Sequence, residues 1–94
     1  MNAEVLTNEG LKLALQTVGD KWKKQGAKFL KDVQYGQADI TGLFVFDGVV
    51  YELTIKSDKT LHVFEMDGDE RRAVPVPVGL PFPKGFVRNA GRGN

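Results

Sequence analysis

The sequence predicts an α+β fold: an N-terminal helix, with a kink allowed for, packed on one face of a four-stranded antiparallel meander whose last strand is a proline-rich edge, followed by a basic tail. Three observations predict it. Asp47-Gly48 separates two runs rich in β-branched and aromatic residues, Ile40 to Phe46 and Val49 to Lys56. That dipeptide marks a two-residue hairpin, because a type I′ turn needs positive φ at both central positions. Upstream, apolar residues recur at helical spacing from Leu11 to Trp22, which describes one buried stripe. Downstream, the polar stretches Ser57–Thr60 and Asp67–Glu70 cut the apolar sequence into strand-length pieces.

The helix comes first. Thr7 or Asn8 caps it, and Glu9 in the first turn complements its dipole. Leu11, Ala14, Leu15, Val18, Trp22, Phe29 and Val33 fall on one arc, with most lysines opposite. Gln25-Gly26 reads as a stop or kink. The expectation is a helix over about residues 8–24 and a further helical turn or two across 27–34.

The first hairpin sets Phe46 against Val49, Phe44 against Tyr51, Gly42 against Leu53 and Ile40 against Ile55. Side chains alternate along a strand, so these share one apolar face. The same register sets Asp39 against Lys56, a pair of opposite charge. In the second hairpin, a loop of even length brings Ile55 to His62, Leu53 to Phe64 and Tyr51 to Met66. A three-residue loop reverses the strand and turns Glu65 inward, so patterning favours the even loop. In the third, Glu65 meets Arg72, Val63 meets Val74 and Leu61 meets Val76; the tighter register opposes Glu65 to Glu70. The fourth strand, Arg72 to Val78, contains Pro75 and Pro77, which confine it to an edge.

On this reading the second face holds Thr41, Leu43, Val45, Val50, Glu52, Thr54, Lys56, Leu61, Val63, Glu65, Arg72, Val74 and Val76. A solvated sheet face is ordinarily polar; this one is largely aliphatic. Apolar patches rimmed by charge mark interaction surfaces. The protein-interface residues expected are therefore Leu43, Val45, Leu61, Val63, Arg72 and Val74, with Leu80, Phe82 and Phe86 of the tail as a rival intramolecular cover.

Length and composition bound the rest. The 94 residues suit one domain, expected over 1–79, with 80–94 a Pro/Gly/Arg tail at least partly disordered. Hydrophobic residues at 41% and charged ones at 27% fit a soluble globular chain. No apolar run approaches the ~18 residues of a membrane span, and no basic-then-apolar leader opens the chain. The expected location is cytoplasmic, with no membrane partner. Absence of cysteine excludes disulfides, thiolate catalysis and cysteine-type zinc sites. Net charge is +1, but Lys21, Lys23, Lys24, Lys28 and Lys31 form a basic block, Glu65 to Glu70 an acidic one, and Arg71, Arg72, Lys84, Arg88 and Arg92 a second basic one. Such blocks govern partner choice more than fold.

Candidate chemistry is sparse. Asp39, Glu52 and Lys56 share a face, an arrangement that resembles the Mg²⁺-holding strands of restriction-type nucleases. Those enzymes place the acid and the lysine two positions apart, whereas Glu52 and Lys56 are four apart, so the bland reading of solvent-face charges is preferred. His62 is the only histidine, and a general base needs an oriented partner that cannot be named. Asp67-Gly68-Asp69-Glu70 lacks the spaced ligands of a calcium loop. Neither a metal nor a cofactor is expected. In size and style the chain resembles small phage-encoded inhibitors and adaptors, a likeness that no motif carries. The expectation is a non-catalytic binding protein that engages another protein, or itself as a homodimer. The alternative is a nucleic-acid binder using Lys23, Lys24, Lys28, Arg88 and Arg92, in which Trp22 and Phe29 are more readily core than stacking platforms.

Overall fold

The computed structural model describes residues 6–30, 34–35 and 38–88. Helix α1 runs Asn8–Lys24, and Thr7 caps it by accepting a hydrogen bond from the Gly10 N–H at 3.0 Å. It ends where Gly26 takes φ +106°: the Gly26 N–H donates to the Lys23 carbonyl and the Ala27 N–H to that of Trp22. This pair of bonds is the Schellman termination, which needs a left-handed residue that glycine supplies without strain. The helix stops there, and no turn follows at 28–29. Lys28–Phe29 instead form strand β1, and Gln34–Tyr35 form β2, both antiparallel to β3, Asp39–Phe46. Phe29 thus reaches the core from a strand; Val33 lies outside the described residues.

Strands β4, Val49–Lys56, β5, Thr60–Asp67, and β6, Glu70–Val74, continue the meander, and β7, Val87–Arg88, joins β5 in parallel. The main path is β1-β3-β4-β5-β6, with β2 beside β3 and β7 beside β5. The class is α+β, one helix on an antiparallel sheet, and the four expected strands are extended by three two-residue ones. β6 stops at Val74, so Pro75 and Pro77 follow the edge strand instead of lying within it. The first hairpin has the register expected of it, from Phe46↔Val49 to Asp39↔Lys56, with Asp47 at φ 55° and Gly48 at φ 80°. The third pairs Glu65 with Arg72 and Val63 with Val74.

The second hairpin departs from expectation. Ile55 pairs with Leu61, Leu53 with Val63 and Tyr51 with Glu65, so the loop is Ser57-Asp58-Lys59. Lys59 adopts φ 72°, and its N–H donates to the Lys56 carbonyl; a turn followed by one left-handed residue is the usual geometry of a three-residue hairpin loop. β5 is therefore rotated by one residue relative to the even-loop reading. Leu61 and Val63 go to the core, while His62, Phe64 and Met66 go to the opposite face.

That core is one cluster. Leu11, Leu15, Val18 and Trp22 of α1 pack against Ile40, Phe44, Leu53, Ile55, Leu61 and Val63. Phe44 is its hub, with ring centroids 5.2 Å from Trp22, 5.3 Å from Phe29 and 5.2 Å from Tyr51. Gly42 sits where α1 comes closest: a Cβ there would stand 3.4 Å from Leu15 and 3.6 Å from Phe29. The chain after β6 closes the rest of this side. Leu80 is buried, Phe82 and Phe86 pack on the cluster, and the Trp22 Nε1–H donates to the Pro81 carbonyl at 2.8 Å. Tail and helix thus share the inner face. Residues 89–94, Arg92 included, lie outside the described residues.

Candidate functional site

The outer face of the sheet is the surface that the fold leaves open: among the described residues, both the helix and the tail lie on the inner side. Its membership follows from the registers. Leu43 and Val45 come from β3, Val50 and Glu52 from β4, Phe64 and Met66 from β5, and Arg71 and Ala73 from β6. Lys28 is paired with Val45, and the Leu30 N–H donates to the Leu43 carbonyl. Apolar side chains thus cross the sheet in one stripe near the Asp47-Gly48 end. Val50 is 36% exposed and Leu30 46%; Leu43, Val45, Phe64 and Met66 are half-buried.

The expected interface residues divide between the faces. Leu43 and Val45 are on the open side. Leu61 and Val63 are each 3% exposed within the core, because the rotation of β5 carries them inward. Val74 packs against the same core, and Arg72 stands across from Glu65 on the inner side, its Nη2 donating to Oε1 at 3.0 Å. His62, expected inside, lies outside. The residues that sequence reasoning missed are Phe64 and Met66, and the signal that finds them is the length of the 57–59 loop.

Charge on the open face is paired. The Arg71 guanidinium donates to Glu52 and also lies over the Phe64 ring, 4.4 Å from its centroid. Glu52 keeps only 17% of its side chain exposed. Lys56 meets Asp39 at 3.8 Å. These pairs absorb the Asp39, Glu52 and Lys56 constellation, and no group of three His, Cys, Asp or Glu among the described residues is placed to hold a metal ion. Beyond the apolar stripe, Thr41 and Thr54 hydroxyls lie 3.2 Å apart, and His62 Nε2 is 3.2 Å from the Thr60 hydroxyl. Burial, and then the nearby Lys56 ammonium, hold the His62 imidazole below its ordinary pKa, with Asp58 opposing. Asp58 is itself held low, chiefly by the Thr60 hydroxyl and N–H that donate to it.

Two clefts among the described residues are small. One cleft of about 50 Å³ lies between Val74, Val76, Phe82 and the β5 edge, and one of about 60 Å³ lies among Glu65, Asp67, Glu70, Arg71 and Arg72. Pockets that enclose a small ligand run to roughly 300–1,000 Å³. Of the alternative nucleic-acid set, Lys23 and Lys24 are exposed on the last turn of α1 and Lys28 is exposed on β1. Arg88 lies over the Phe82 ring at 4.5 Å. Trp22 is fully buried and Phe29 packs on Phe44, so neither offers a ring face beside those lysines. No helix among the described residues is long and apolar enough to cross a membrane. The chain matches no protein-family model, no curated protein and no solved structure, so its own side chains must carry the functional argument.

Proposed function

We propose that this is a small, non-catalytic binding protein that engages a protein surface, another protein or itself, through the open face of its sheet. The observation that carries the reading is the apolar stripe of Leu43, Val45, Val50, Phe64 and Met66, held rigidly on regular strands and covered by neither the helix nor the tail. A solvated antiparallel face alternates to polar residues, and a contiguous apolar patch flanked by charge is the usual signature of a docking surface. The small clefts and the paired charges of Asp39, Glu52, Lys56 and Arg71 support binding over bond-making chemistry.

A photo-crosslinking residue at position 50, with a control at the exposed helix position 13, tests this in the cells that make the protein. Position 50 should give a discrete protein adduct that survives nuclease treatment, and position 13 should not. Absence of any adduct at 50, or adducts that nuclease removes, would sink the reading and return attention to Lys23, Lys24 and Lys28.

A further inference from the structure

We infer that the occupant of the open face is a second copy of this chain, packed sheet to sheet; the inference rests on the docking reading above and names its partner. Three observations point to self-association. The first is charge. Among the described residues each carboxylate on the face has its own cation, Asp39 with Lys56 and Glu52 with Arg71, which leaves Lys28 in excess. Each face then carries a single excess positive charge, at its β1 edge, so two faces meet with little net repulsion, whereas a strongly acidic or basic partner finds almost no matching field.

The second is desolvation. A charged pair at the centre of an interface is costly when both ions must leave water. Glu52, the central acid, is already mostly covered by its own sheet, and Arg71 is tied both to it and to the Phe64 ring. A covering surface therefore removes little further water from the acid.

The third is area. The strands β3, β4 and β5 have eight residues each and β6 has five. With ~3.3 Å of rise per residue and ~4.8 Å between strands, the face has a footprint of roughly 500 Å². Side-chain relief adds to that footprint, to be set against the ~800 Å² per partner of a stable interface. Sheets stacked face to face lie ~10 Å apart with their strands turned by about 30°. Two copies so arranged make four layers, helix, sheet, sheet, helix, related by a two-fold axis in which each residue of the stripe faces the other copy's stripe.

Sedimentation equilibrium of the purified chain tests this, with far-UV circular dichroism to confirm that each variant is folded. Wild type should rise from the 10.4 kDa monomer to twice that mass as concentration increases to about 200 µM. Val50→Asp should remain monomeric across the range, and Leu13→Asp, on the far side of the molecule, should dimerise as wild type does. Val50→Thr keeps the branched shape and changes only polarity; it repeats the test at reduced loss if Val50→Asp does not fold. A wild type that stays monomeric overturns the second copy alone, because heterologous adducts at position 50 would still uphold the docking reading. A dimer that Leu13→Asp breaks and Val50→Asp leaves intact overturns both.

Discussion

The two faces of the sheet are built from the same strands and similar residues, yet they do different work. On the inner face Ile40, Phe44, Leu53 and Ile55 are fully buried beneath α1 and the tail. On the outer face Leu43, Val45, Val50 and Phe64 keep part of their surface in water. Alternation alone does not distinguish them, since both parities of β3 and β4 are rich in apolar residues. What distinguishes them is the supply of covering elements. The described residues offer one helix and one structured tail segment, Trp22 Nε1 ties the two together at Pro81, and both are spent on one side. The inner face therefore sets stability, and the outer face is left for something else.

The sharpest way to break this contrast is to truncate one residue on each side. Trp22→Ala empties the largest fully buried side chain in the core and should cost about 3–5 kcal/mol. Val50→Ala, on the open side, should stay within roughly 0.5 kcal/mol in the monomer. Urea unfolding at low protein concentration measures both. Equal losses would mean that the outer face is sealed as well. Overfilling provides the next test. Gly42→Val forces a branched side chain into the contact between β3, Leu15 and Phe29 and should cost about 1–3 kcal/mol; a neutral outcome would show that α1 can shift away from the sheet. Trp22→Phe is gentler. It keeps an aromatic ring but removes the donor to the Pro81 carbonyl, so it should cost about 1–2 kcal/mol. It should also hasten proteolysis within residues 77–88 ahead of the sheet. Unchanged cleavage there would mean that Leu80 and Phe82 hold the tail without the indole.

How much of this was legible depended on the turns. Asp47-Gly48 fixes its hairpin because both residues must take positive φ and both readily do, and the observed 55° and 80° follow. The next loop has no such mark. Its left-handed residue is Lys59, which nothing in Ser57-Asp58-Lys59-Thr60 distinguishes, so loop length had to be argued from burial. Patterning turns Glu65 outward, yet Glu65 tolerates the inner face. It lies near the end of β5, beyond the core, half-exposed and paired with Arg72, where a carboxylate facing inward carries little penalty. The pattern could not correct the error, because Leu61 and Val63 on one parity and Phe64 and Met66 on the other are equally plausible core. The helix end shows the same logic. Phe29 falls in phase with the stripe, but Gly26 terminates α1, and Phe29 reaches Phe44 from a strand. Of the expected interface residues, Leu43 and Val45 keep the face expected of them because they belong to the well-marked hairpin. Leu61 and Val63 change face, because they belong to the unmarked one.

The smallest expected effect probes the outer face through its only histidine. Burial and the neighbouring Lys56 disfavour the charged imidazole of His62 in the folded protein. The unfolded chain therefore binds a proton more readily than the folded one near pH 6, and stability rises with pH through that interval. In the neutral range above the free-histidine value both states are uncharged and nothing is lost. As pH falls through that value toward the lower folded one, stability declines. Between about pH 7.5 and pH 5 the Tm should fall slightly through this group, and His62→Gln should remove that fall. The stabilisation that Asp58 draws from Thr60 is held above the carboxylate range and lost only at more acid pH, so the two do not overlap. A His62→Gln variant with the same pH profile as wild type would show that the imidazole is freely solvated. The slope also reports on the second copy. A sheet packed over Thr54, His62 and Phe64 removes more water from the ring, depresses its protonation further and makes the pH dependence steeper as protein concentration rises. A slope independent of concentration, in a chain that nevertheless dimerises, would place the contact away from β5 and confine it to the Leu43, Val45 and Val50 end of the stripe.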